Sequence, residues 1–381
     1  MTHSKRRGLT VPRSTVSAPD GLLIVDKPAG VTSHDVVAAI RRLAATRKVG
    51  HAGTLDPMAT GVLVIGIGKA TRLLTHIVGA DKAYSATVAL GASTDTDDAD
   101  GQITARAGQP ALINDEFTAR VDSEIGKLRG NIMQVPTTVS ALKIDGQRAH
   151  ERHRAGEKVE IPARPVTISR LERTGPITPE IARFDDEDVP VSSFGLDVEC
   201  SSGTYVRAIA RDLGQALGTG GFLTSLRRTR VGKWTLEDAV TIDQLVAHVE
   251  AENARANADA RAEKGVQIGG RAQSEEASDA AANENGDASV GDSQGTSATD
   301  PQAAPIPVIP LTRACTQQFA SLALEYEEAE ALRYGNVTRL RPRTPDGEIT
   351  ACLWNEDVRA LVRRKGDRYE PVVVFATGPL D

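Results

Sequence analysis

The chain is poor in aromatic residues, in cysteine and in long apolar runs. Phe, Trp and Tyr make up 3% of its 381 residues, so an aromatic inside a polar motif carries more information than usual. The three cysteines, Cys200, Cys315 and Cys352, stand far apart. Their number and spacing exclude a disulfide framework and a zinc site, and predict a reducing, cytoplasmic setting. The strongest apolar run, Val62 to Ile67, is far too short to span a bilayer. The first 18 residues bring Lys5, Arg6, Arg7 and Arg13 with no apolar stretch behind them. That pattern predicts a disordered basic arm and no secretory leader.

What is present is an ordinary globular composition, 40% hydrophobic and 25% charged. The net charge of −6 argues at first against a polyanionic partner. Its distribution reverses the argument. Residues 251–306 hold ten acids and four bases, and the rest of the chain holds 41 of each. Basic clusters stand out of that neutral remainder at Arg41-Arg42, Arg47-Lys48, Arg148 to Arg154 and Arg207 to Arg230. Such stripes suit local contact with RNA phosphates, although charge alone also fits a solvated surface.

The acidic segment is also the clearest boundary. No aromatic occurs between Thr235 and Gln318, and a stretch so poor in apolar surface does not offset its ordering entropy. The composition predicts a basic arm over 1–18, a catalytic-sized domain over 19–250, a disordered linker over 251–306 and a small β-rich module over 307–381. Within the large domain, Gly21 to Asp26 reads as a buried strand. Thr32 or Ser33 caps a helix carrying Val36, Val37, Ile40 and Leu43. Residues 50–61 form a Gly-rich loop before the strand Val62 to Ile67, and a short helix follows over Lys69 to Val78. Tyr84, Ala86, Val88 and Leu90 alternate as a half-exposed strand. Leu196 to Cys200 is a further strand, and Thr204 caps the helix after it. Ala314 to Tyr334 reads as one helix, with short strands from Arg339 to Phe375.

Several motifs lead nowhere. Gly66 to Lys69 lacks the spacing of a phosphate loop. Thr94 to Gly101 is acidic but places Thr96 and Ala107 where a calcium loop needs acids, so it reads as a solvated turn. His150 and His153 have no third ligand in view, and no dinucleotide fingerprint occurs. The segment from Lys48 to Gly61, KVGHAGTLDPMATG, is different. Asp56 stands beside Pro57 in a loop bearing Gly50, Gly53, Gly61 and His51, between rigid apolar elements. An isolated Asp-Pro is a turn. This loop has more backbone freedom than a reversal requires, and its setting suits one exposed carboxylate.

Five blocks in order carry a resemblance: GLLIVDKPAGVTSHDVV, KVGHAGTLDPMATGVLVIGIGKATRL, DKAYSATVALGASTDTDDADG, VPTTVSALKIDGQRAHERHRAG and CSSGTYVRAIARDLG. Together they resemble the bacterial tRNA pseudouridine-55 synthase (TruB) family over roughly residues 21–245. The long acidic segment departs from compact members. The resemblance implies an α+β pseudouridine synthase fold, with a central mixed, largely antiparallel sheet flanked by helices, and a PUA-like RNA-binding module at the C-terminus. It makes Asp56 the catalytic carboxylate, Arg207 its partner and Tyr84 the ring under the target base. Tyr205 and Leu226 then line the pocket, and His51 contacts nucleotides displaced from their stack. Arg227, Arg228 and Arg230 are expected on the RNA backbone, and residues near 135–165 form an arm that closes over the RNA. The implied partner is the T stem-loop of tRNA, bound by a monomer that needs neither membrane nor protein partner.

The implied chemistry matches the residue types. Pseudouridine formation breaks the N1–C1′ bond, turns the uracil and rejoins it through C5, with no net change of atoms. No metal, redox group or other cofactor is therefore expected. C1′ gains oxocarbenium character, as in glycoside cleavage. One ionised carboxylate serves, whether it attacks C1′ or removes the 2′ proton, and a neighbouring Arg207 holds it ionised. The reading competes with an RNA-binding or folding protein whose activity is incidental, and with a two-carboxylate glycosidase.

Overall fold

Thr60–Ile67 is buried along nearly its whole length because both of its faces are covered. The structure is a computed structural model. It describes residues 8–107, 113–137, 143–144, 147–148, 161–184, 187–272, 304–375 and 380. The chain begins with β1 (Gly21–Lys27), α1 (Ser33–Leu43), β2 (Val49–Ala52) and β3 (Thr60–Ile67). A 3-10 turn and the four-residue α2 (Leu74–Ile77) replace the single helix expected over Lys69 to Val78. Then come β4 (Lys82–Leu90), β5 (Ala92–Thr94), β6 (Ile103–Arg106), α3 (Asp115–Lys127), β7 (Gly130–Gln134) and the small β8 (Lys143–Ile144) and β9 (Gln147–Arg148). The long hairpin of β10 (Arg164–Arg183) and β11 (Asp188–Cys200) leads to α4 (Val206–Leu217) and β12 (Gly221–Val231). After β13 (Trp234–Thr235) and β14 (Val240–Thr241), α5 runs over Ile242–Ala272.

The main sheet runs β14-β1-β3-β12-β4-β11-β10-β7, with β2, β13 and β15 (Ile309–Pro310) attached at its sides. Most pairs are antiparallel; β1 with β14 and β3 with β12 are parallel. This is the mixed, largely antiparallel sheet expected. Alternation explains the continuous apolar runs of β1 and β3. Leu23, Val25, Leu63 and Ile65 face α1 and α4, meeting Val36, Ile40, Ile209 and Leu213. Leu22, Ile24, Val62 and Val64 face the other way, against Leu73, Ile77 and Trp234. Strand β4 lies inside the sheet and alternates as expected, with Tyr84, Ala86, Val88 and Leu90 buried and Ser85 exposed on the other face.

The C-terminal part docks on that second face. Helix α6 (Leu311–Gln318), β16 (Ala320–Ala323), α7 (Tyr326–Arg333), β17 (Ile349–Trp354), β18 (Asp357–Lys365) and β19 (Arg368–Val374) follow β15. The last four strands form a separate sheet, β16-β17-β18-β19. A strand therefore interrupts the single helix expected over Ala314 to Tyr334. Phe319 ends α6 in extended backbone, and Glu325 caps α7 with its own capping box. Ala314, Cys315, Val358, Leu361 and Phe375 join the cluster under β1 and β3. Strand β15 pairs directly with β1, Gly21 opposite Pro310.

Helix α5 continues past Ala251, where composition predicted loss of order. The Ala-rich sequence favours helix, and buried Glu252 accepts a hydrogen bond from the Ala304 amide at 2.6 Å. Residues 273–303 and most of the arm expected near 135–165, with His150 and His153, lie outside the described residues. Among the described residues no helix is long and apolar enough to cross a membrane.

Candidate active site

Asp56 lies in the loop between β2 and β3, and buried side chains hold that loop almost atom by atom. Thr32 caps α1 in a capping box with Asp35. This places Ser33 so that its hydroxyl accepts from the Leu55 amide at 2.9 Å and donates to the Leu55 carbonyl at 3.2 Å. Lys27 ends β1 with its ammonium on the Pro28, Val31 and Pro57 carbonyls. The Gly30 amide also donates to Pro57. Arg228 donates to the Gly53 and Thr54 carbonyls, and the Asp56 carbonyl accepts from the Ala59 amide. Burial lowers the Lys27 pKa to about 8, against an opposing pull from Asp56.

The Asp56 carboxylate points out of this cradle, its side chain 35% exposed. Arg207, in the first turn of α4, meets it side-on: Nε to Oδ2 at 3.0 Å and Nη2 to Oδ1 at 3.1 Å. This is the bidentate fork that fixes both position and plane of a carboxylate. Arg207 is itself only 5% exposed. Its Nη1 donates to the Thr96 carbonyl at 2.7 Å and to Asp98 Oδ2 at 3.0 Å. The acidic segment Thr94 to Gly101 is therefore not the solvated turn expected. Asp97 and Asp98 are buried, and burial raises the pKa of both against the pull of Arg211 and Arg207 respectively. Asp98 is further held by the Thr96 hydroxyl at 2.5 Å. Arg211, one helical turn beyond Arg207, pairs with Asp97 at 3.2 Å and donates to the Val135 carbonyl at 2.7 Å.

The other expected residues gather around this pair. Tyr84 is buried on β4, with Leu226 of β12 in the same cluster as Leu55 and Ala59. Burial raises the Tyr84 pKa, and the Arg228 charge opposes it. Tyr205 is the N-cap of α4 and offers no side-chain cap, so the expectation that Thr204 caps this helix fails. Buried Gln134 takes over, accepting from the Tyr205 amide at 2.8 Å and donating to its carbonyl at 3.1 Å. His51 sits on β2, not in the loop, with its ring edge-on to His34 at 5.7 Å. Burial, then His34 and Arg228, lower its pKa.

The arginines divide differently from expectation. Arg228, expected on the RNA backbone, is 1% exposed and turned inward. Strand alternation gives the reason: it pairs directly with Tyr84 and shares the inward face of β12 with Leu226, while Arg227 lies on the other face. Arg227 pairs with Asp26 through two hydrogen bonds of 3.0 and 2.7 Å, and Arg230 with Glu199 at 2.7 Å. Both keep partial exposure. Asp98, Ser33, Lys27 and Gln134 were not singled out from sequence. The one available signal was the surplus of acids in TDTDDADG, which neither a calcium loop nor a turn requires. Among the described residues no group of three His, Cys, Asp or Glu is placed to hold a metal.

Known proteins match the parts of the chain that build this site. The family described as TruB family pseudouridylate synthase (N terminal domain) matches residues 41–206, and tRNA pseudouridylate synthase B C-terminal domain matches 207–262. A protein named tRNA pseudouridine synthase B from an Arthrobacter species is 56% identical over 230 residues, covering 60% of this chain and 72% of that protein. Its namesake in Corynebacterium aurimucosum is 58% identical over 226 residues, 59% of this chain and 71% of the other. One in Streptomyces griseus is 54% identical over 228 residues, 60% and 74%. In fold, the chain superposes with a TM-score of 0.56 on a protein from an H/ACA RNP bound to a substrate RNA containing 2'-deoxyuridine. That match is 20% identical and covers 97% of this chain and 92% of the other. Because the matched stretch runs unbroken through Asp56, Asp98 and Arg207, the residues of one ion-paired site, the chain belongs to the TruB family of pseudouridylate synthases.

Proposed function

We propose that this protein isomerises the T-loop uridine of tRNA, position 55, to pseudouridine, with Asp56 as the catalytic carboxylate. The observation that carries the reading is the bidentate Asp56–Arg207 pair, an exposed carboxylate on a buried guanidinium. The planar guanidinium fixes the position and plane of the carboxylate and so aims it at the sugar. The N1–C1′ bond breaks as uracil leaves with the bonding electrons. The base turns, C5 bonds to C1′, C5 loses its proton and N1 gains one. The nucleotide has to leave its stack to reach the carboxylate. Tyr84 and Leu226 offer the extruded base an apolar surface, Tyr205 borders it, and His51 faces the nucleotides left behind. Arg227 and Arg230 track the phosphates at the rim. The chain acts as a monomer in the cytoplasm, residues 19–250 carry catalysis, and the C-terminal sheet adds an RNA contact.

Release of tritium from tRNA labelled at uridine C5 tests this directly. Asp56→Asn is expected to abolish release while tRNA affinity holds. Release that survives the substitution refutes the role given to Asp56.

A further inference from the structure

Arg228 is among the largest side chains with no meaningful exposure, and a buried guanidinium requires compensation. Among the described residues it makes no ion pair. Three of its hydrogen bonds go to backbone: Nε to the Val62 carbonyl at 2.7 Å, Nη2 to Gly53 at 3.0 Å and Nη1 to Thr54 at 3.4 Å; a side-chain hydrogen bond also links it to Tyr84. One planar group thus ties the start of β3 to the two residues that lead into Leu55 and Asp56. On its other side Arg228 stands directly opposite Tyr84 in the antiparallel pair of β12 and β4, where facing side chains touch.

Two glycines border Arg228, one against its backbone and one beside its guanidinium. Gly61 has φ +99°, and a Cβ there would fall 2.2 Å from the Arg228 carbonyl oxygen, so only glycine lets β3 approach β12 at this register. Gly53 has φ +84°, a left-handed conformation that favours glycine, and places the carbonyl that Arg228 binds. Neighbouring Arg227 points elsewhere, to Asp26 and Thr60.

We propose that Arg228 is a positioning residue for the isomerisation, setting with one guanidinium both the backbone that carries Asp56 and the seat of the Tyr84 ring. The inference rests on the roles given above to Asp56 and Tyr84. A planar fork with fixed geometry is required, because two carbonyls on successive residues must be met while Val62 is held. A lysine keeps the charge, but its donors sit on one nitrogen and do not span the separate positions that the three guanidinium nitrogens meet at Val62, Gly53 and Thr54. The expected defect is in the chemical step and not in RNA binding, since no phosphate reaches a side chain so enclosed.

The test uses full-length protein with Arg228→Lys and Arg228→Met, reading tRNA affinity against salt and the single-turnover rate of tritium release. Affinity and its salt slope should match wild type, while the rate falls about 10²-fold, the cost of a small misplacement of reacting groups. In a Tyr84→Phe background the penalty of Arg228→Lys should shrink, because the two residues are coupled. Should Arg228→Met fail to fold, Arg228→Lys, which retains the buried charge, carries the test. Weakened binding with a salt slope reduced by about one makes Arg228 a phosphate contact and overturns the proposal; so does an unchanged rate in folded Arg228→Lys. Asp56→Asn, assayed in parallel, separates the two ideas. If that variant stays active the catalytic reading has failed, whereas an inactive Asp56→Asn beside a fully active Arg228→Lys refutes only the role of Arg228.

Discussion

Arg207 holds two aspartates at nearly equal distance, and they differ in almost everything else. Asp56 and Asp98 each lie 3.0 Å from a guanidinium nitrogen, yet the Asp56 side chain is 35% exposed and that of Asp98 4%. Asp56 stands in a Gly-rich loop whose carbonyls are tied down by Arg228, Ser33 and Lys27. Asp98 stands in a loop folded inward, bonded to Thr96 and to Arg207. The buried acid compensates and aims the arginine; the partly exposed acid keeps one side open to solvent. One guanidinium between two carboxylates therefore does two jobs, because solvent reaches only one end of it.

Substitutions at the two ends should separate these jobs. The largest effect is expected at Asp56, where asparagine should cost at least about 10⁴-fold in rate with normal stability, the scale of removing a principal catalytic group. Asp98→Asn should lower the rate by about 10²-fold through misdirection of Arg207. It should also cost about 3 kcal/mol of stability, since it breaks a buried pair; urea denaturation beside single-turnover assays reads both. Equal stability losses at the two positions would erase the distinction.

Smaller effects belong to the cradle. Ser33→Ala strands the buried Leu55 amide, and should cost about 1–3 kcal/mol in urea denaturation with a lower kcat and an unchanged KM. Lys27 shows itself as pH dependence, above neutral pH only. Its pKa falls from 10.5 free to about 8 folded, so between these values the unfolded chain binds the extra proton. Stability from this group therefore rises with pH across that window. Lys82, also lowered to about 8 by burial, adds a similar slope. Urea midpoints measured across the window should show Lys27→Met losing about half the rise. A full rise in the variant would mean that Lys27 is not buried as a cation.

Much of the frame was legible. β1, β3 and α1 were readable because apolar periodicity and the Thr32 cap are local signals, and Asp56 stood out because its loop carried more glycine than a turn needs. The Asp56–Arg207 partnership came from resemblance alone, since 151 residues separate them. Thr94 to Gly101 was misread because an acid's burial depends on a cation brought to it from elsewhere in the chain. Arg228 was misread for the converse reason. Basic clusters look like phosphate contacts in one dimension, while alternation along β12 sends adjacent arginines to opposite faces.

By itself, then, the sequence determined the family, the loop that bears Asp56 and the strands and helices beneath it, because these rest on local pattern and ordered motifs. Only the tertiary structure decided which charges are buried. Burial is set by what the sheet and α4 stack around a side chain, and that placement makes Asp98 and Arg228 internal supports and leaves Asp56 facing outward.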